Sequence, residues 1–119
     1  MRAEKLYDIT QLSLMMGDAE GIRMMLNIFL ESTPKILLEL NEGFTTNDIE
    51  KLSRCAHKLK ASLDMMKIET LYNTIRKVDR YENVISNLDQ LPSIIEKINT
   101  TLEAVFAQLR DEPLLKDQV

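Results

Sequence analysis

Apolar side chains recur at Ile22, Met25/Leu26, Phe29, Thr33, Ile36/Leu37, Leu40 and Phe44. These steps of three and four residues keep one face of a helix apolar. The stripe passes Pro34 without changing phase, so one bent helix is expected, its bond to Leu30 lost and a kink produced. The alternative makes Thr33 the N-cap of a new helix with Pro34 as its first residue. Before this stripe, "TQLSLMMG" predicts a short helix over about 10–16, with Thr10 as N-cap and Gly17 as the stop. Asp18 then caps the long helix.

"TTND" interrupts the periodicity, with Asn47 as the expected cap of the next helix. There Ile49, Leu52, Ala56, Leu59, Leu63 and Met66 form a seam with coiled-coil spacing. Ile68, Leu71, Ile75 and Val78 predict a fourth helix ending at Arg76, Lys77 and Arg80, where cations suit the C-terminal dipole. "YENVISNLD" reads as the longest loop. Leu91, Ile94/Ile95, Ile98, Leu102, Val105 and Leu109 predict a last helix with Pro92 near its start. Residues 111–119 read as a frayed tail. Four long amphipathic helices joined by mostly short connections imply an all-α, antiparallel (up-down) four-helix bundle, with the short N-terminal helix capping it. A single domain over residues 1–119, with its core at about 8–110, is the expected organisation.

Composition narrows the function. The chain has 119 residues, 45% of them hydrophobic, with three glycines and three prolines, which suits a helical core that needs no disulfide or metal. A net charge of −4 argues against general nucleic-acid binding. Cys55 is the only cysteine, so no intrachain disulfide forms, and a reducing compartment fits. The start lacks the apolar core of a secretory signal, and no apolar run approaches the roughly 20 residues that span a bilayer. A cytoplasmic protein is expected, either free or as one domain of a longer membrane-bound receptor.

The only histidine, His57, falls in "CAHKLKAS". It lies one residue past Ala56, about 100° around the helix from the seam, on a polar stripe of Glu50, Ser53, His57, Lys60 and Asp64. Its helical neighbours are Ser53, Arg54, Lys60 and Ala61. The small ones leave the imidazole open to a docking surface. A lone histidine on a helix flank is most often a solvated surface residue. The chemical alternative is covalent: a neutral imidazole nitrogen is a nucleophile near pH 7. A phosphoryl group captured there would add a charge near −2, and Lys60, one turn on, is placed to pair with it. As an exposed charge, Lys60 would add little to folding. Nothing in the chain generates such a group. There is no Gly-rich phosphate loop, nucleotide fingerprint or Mg²⁺-binding carboxylate cluster. Metal binding at His57 is disfavoured, since no second His or Cys ligand sits at i±3 or i±4.

Other candidates have plainer readings. Cys55 is a packing residue rather than a reactive thiol. Six of the seven methionines are paired. Met24, Met25 and Met66 are expected to fill gaps in the bundle, while Met15 and Met16 are divided evenly between core and binding face. Arg76, Lys77 and Arg80 read as a solvated helix end.

"AHKLKAS" closely resembles the core motif of histidine-containing phosphotransfer (HPt) domains, His-x-Leu-Lys-Gly/Ala-Ser. "GDAEGIRMMLNIFLESTP" and "NDIEKLSRCAHKLK" resemble that family's upstream segments, and the likeness carries motifs over about residues 6–80. It implies a phosphorelay carrier rather than an autonomous enzyme, with His57 phosphorylated and Lys60 pairing with the phosphate. The donor and acceptor would be receiver domains of response regulators or of a hybrid sensor histidine kinase, which supply the aspartate and Mg²⁺. No cofactor or metal would be bound by the chain itself, and a monomer without nucleic-acid or membrane contact is expected. Leu14, Met15, Met16, Ser53, Arg54, Ala61 and Asp64 are the candidate docking residues. One departure stands out: ten residues after the histidine the family commonly has glycine, and this chain has Lys67. The alternatives are a helical adaptor or regulator that binds a receiver or other signalling protein without phosphotransfer, and a structural helical protein in which His57 is incidental.

Overall fold

The computed structural model describes residues 4–116. Helix α1, Thr10–Met16, ends at Gly17 (φ 78°), whose N–H donates to the Ser13 carbonyl. Thr10 is not its cap. Ile9 holds that position, and the Asp8 carboxylate accepts from the Thr10 N–H at 2.8 Å. Asp18 caps α2, Ala19–Thr45, as expected, accepting from the Gly21 N–H at 2.7 Å. Helix α2 runs unbroken through Pro34, with Thr33 buried inside it. The alternative in which Thr33 starts a new helix does not hold, because the apolar stripe on both sides of Pro34 packs into one core.

Helices α2 and α3, Ile49–Met65, pack along each other. At their turn the backbones close tightly: a Cβ on Gly43 would lie 3.0 Å from the Leu52 nitrogen. The cap of α3 is Asp48, which accepts from the Lys51 N–H at 3.1 Å. Asn47, one residue earlier, instead makes the left-handed turn at φ 56°, a conformation asparagine tolerates better than most residues. Every position of the α3 seam is buried except Ile49, which is half-buried.

The fourth corner of the bundle departs from the expected single helix. A 3₁₀ turn, Glu69–Leu71, leads into α4, Tyr72–Arg76. The expected loop at "YENVISNLD" holds α5, Tyr81–Ser86, and a second 3₁₀ turn, Leu88–Gln90. Apolar anchors still specify the path, since Ile68, Leu71, Ile75, Val78 and Val84 are all fully buried. Asparagines replace the missing ladder. Asn83 donates to the Arg76 carbonyl at 3.1 Å, and Asn87 donates to the Lys77 carbonyl at 3.3 Å and to the Asn83 carbonyl at 2.8 Å. Side-chain amides that satisfy backbone carbonyls in this way favour short turns over one continuous helix.

Helix α6, Leu91–Arg110, carries Pro92 in its first turn and buries the whole expected stripe. It meets α2 through Phe29 and Phe106, whose ring centroids are 5.9 Å apart. A reciprocal amide pair, Asn41–Asn99, joins the same two helices at 2.9 and 2.8 Å. Residues 111–116 are not a frayed tail. Pro113–Lys116 forms α7, and Leu114 and Leu115 pack against the core. Glu112 is buried, accepts from the Tyr7 hydroxyl and pairs with Lys5 at 3.3 Å. Burial and this carboxylate push the Tyr7 phenol well above its ordinary range. Residues 117–119 of the expected tail lie outside the described residues. The result is an all-α antiparallel bundle whose core lies between α2, α3, α6 and the segmented corner.

Candidate functional site

Helix α3 presents His57 to solvent, between the buried Ala56 and Leu59. The seam anchors one side of the helix in the core, so its other side is fixed outward by the 3.6-residue geometry. Arg54, Lys58, Ala61 and Asp64 are exposed on the same helix. Ser53 is largely covered instead, and its hydroxyl donates to the Glu50 carbonyl at 3.1 Å. It therefore offers little surface for docking.

Lys60 differs from its expected exposed state. Its side chain is about one-third exposed, at 32%, and its Nζ lies 3.4 Å from Oδ2 of Asp79, which is only 7% exposed. Asn83 Nδ2 donates to the other carboxylate oxygen at 3.2 Å. The lysine thus already has an anionic partner supplied by the segmented corner, between α4 and α5. Sequence periodicity had no means of finding Asp79. It follows the last apolar residue of the stripe and sits between cations in "RKVDR", which reads as an ordinary solvated helix end.

The other candidates separate cleanly. Leu14 and Met15 are exposed at 81% and 72% on α1, which packs on α2, while Met16 is half-buried against the core. Met66 fills the core as expected. Met24 does not, because it is 56% exposed. Cys55 is buried with its sulfur 3.8 Å from a Glu39 carboxylate oxygen. Burial first, and then Glu39, push its thiol up, so it is a poor nucleophile at neutral pH. A groove of about 560 Å³ between residues 4–10 and Lys67, Glu69 and Thr70 does not include His57. Among the described residues, no three His, Cys, Asp or Glu side chains are grouped to hold a metal.

The site thus holds a single outward imidazole with a lysine one turn away on the same helix. A family model of the Hpt domain matches residues 24–112. The chain belongs to the Hpt domain family. No curated protein and no solved structure gives a match. The matched span leaves out α1 and includes His57, Lys60 and Asp79. An Hpt domain is a phosphohistidine carrier of two-component phosphorelays, without kinase activity of its own and without a bound cofactor. Its membership implies receiver domains or hybrid kinases as the partner class. Among the described residues, no helix is long and apolar enough to cross a membrane.

Proposed function

We propose that His57 carries the phosphoryl group and that Lys60 pairs with it. The observation that carries this reading is that the Hpt-matched span holds one histidine, and it stands exposed on α3. The lone pair of the unprotonated ring nitrogen attacks phosphorus of a receiver's aspartyl phosphate. An N–P bond forms as the P–O bond breaks, and the electron pair leaves on the aspartate carboxylate. The reverse step delivers the group to a second receiver. Lys60 supplies positive charge to the phosphoryl oxygens through a charge-assisted hydrogen bond. The receiver supplies Mg²⁺ and docks on the exposed part of the face, with Arg54, Ala61 and Asp64 nearest in register and Leu14, Met15 and Met16 contributed by α1. Donor and acceptor are receivers of response regulators or of a hybrid sensor histidine kinase, in the cytoplasm.

A second reading, receiver binding without transfer, draws on the engagement of Lys60 by Asp79. Incubation with a ³²P-labelled phospho-receiver separates the two. The expected product is labelled protein whose phosphate is lost in acid and survives base, and ATP alone gives no label. His57→Gln should abolish the label. Lys60→Ala should weaken transfer about tenfold, while Lys58→Ala, which points away at i+1, changes it little. Acid-labile label on His57→Gln, or equal effects of the two lysine substitutions, would overturn the reading.

A further inference from the structure

Asp79 belongs to neither the α3 seam nor the motif around His57, yet it is the nearly buried anion against which Lys60 rests. Its two oxygens are divided, one toward the Asn83 amide at 3.2 Å and one toward the Lys60 ammonium at 3.4 Å. A carboxylate this far out of water depends on its partners. If Lys60 turns to a phosphoryl group on His57, Asp79 keeps only the neutral amide. The loss on that side offsets part of the gain on the other.

We propose that Asp79 is a positioning residue: it holds Lys60 on the His57 side of α3 in the unloaded carrier and competes with the phosphoryl group for it. This rests on the assignment of His57 and Lys60 made above. The competition weakens the hold on phosphate. That suits a carrier, which must release the group to a second receiver as readily as it accepts it from the first.

The test is the equilibrium distribution of label between a phospho-receiver and the full chain, for the wild type and for Asp79→Asn, Lys60→Ala and the double variant. Asp79→Asn removes the competing charge while keeping an oxygen for Asn83. It should raise the share on His57 about three- to tenfold. In the Lys60→Ala background the same change should have no effect, an outcome that a general loosening of the fold would not give. An Asp79→Asn shift that is absent, reversed or equal in both backgrounds overturns the role of Asp79, while a weakened Lys60→Ala leaves the underlying reading standing. An unaffected Lys60→Ala, or label on His57→Gln, sinks that reading and the role of Asp79 with it. Should Asp79→Asn fail to fold, the Asp79 carboxyl ¹³C resonance of the wild type decides. It should move on phosphorylation while that of Asp89 stays, and an unmoved Asp79 signal overturns the proposal.

Discussion

Helix α3 and the segment from Glu69 to Gln90 lie against each other but are built differently. In α3 one apolar seam and an unbroken backbone ladder fix which residues face outward, and His57 is among them. The neighbouring segment has its apolar anchors in the core but no continuous helix, and asparagine amides satisfy the carbonyls left over. The difference is functional. The regular element presents His57, the proposed acceptor, and the irregular one supplies Asp79, a buried charge that a straight helix with a polar outer face has no reason to enclose.

The widest gap between the two should appear on deleting core side chains. Leu59 lies directly below the site and is fully buried. Leu59→Ala should cost about 2–5 kcal/mol in a urea titration, whereas Ile85→Ala in α5, where the side chain is 45% exposed, should cost under about 1 kcal/mol. Equal costs would mean that the segment is as tightly integrated as α3, and the contrast would be lost.

The periodic elements were legible because their burial is periodic. Leu52 to Met66 and Leu91 to Leu109 are core in the order their spacing gives, with Ile49 half-buried at the start of the seam, and His57 is exposed because Ala56 and Leu59 are not. The segmented corner was not legible, since Ile68, Leu71, Ile75 and Val78 have helical spacing whether one helix or several short turns carry them. Its breaks are made by Asn83 and Asn87 reaching back to carbonyls, a tertiary arrangement with no periodic signature. Lys60 reads as a free charge in the sequence for the same reason, because its partner belongs to that corner. The C-terminal residues failed differently: Glu112, Leu114 and Leu115 find partners in residues 5–7 and in the core, contacts far apart in sequence.

The next effect concerns the bridge between the regions. Lys60→Ala leaves Asp79 with Asn83 alone, and should destabilise the protein by about 1–2 kcal/mol, more than an exposed lysine would. Lys58→Ala is the exposed control on the same helix. Matching denaturation midpoints for the two variants would show that the ion pair contributes nothing to folding.

Within the segment, Asn87→Ala removes donors to the Lys77 and Asn83 carbonyls and should cost about 0.5–1.5 kcal/mol. Its effect should be local. Amide exchange should speed up over residues 77–87 and stay unchanged in the middle of α3, since opening there requires disruption of the seam. Faster exchange at Leu59 or Leu63 would show that the two regions open together.

The smallest change tests the joint between them. Lys67 follows the C-cap of α3 at φ 53°, and the Ile68 N–H donates back to the Leu63 carbonyl at 3.0 Å, the closure that ends helices in a left-handed residue. This is the position at which the family commonly has glycine, and the backbone here keeps the glycine-like conformation with a lysine in place. A side chain in that region costs roughly 1–2 kcal/mol, and glycine's greater freedom in the unfolded chain offsets about half of it. Lys67→Gly should therefore stabilise the protein by about 0.5–1 kcal/mol. Asn47→Gly, at φ 56° before α3, should gain less, because asparagine already tolerates the conformation. If Lys67→Gly lowers the denaturation midpoint instead, the lysine side chain has favourable interactions at the joint that outweigh the strain.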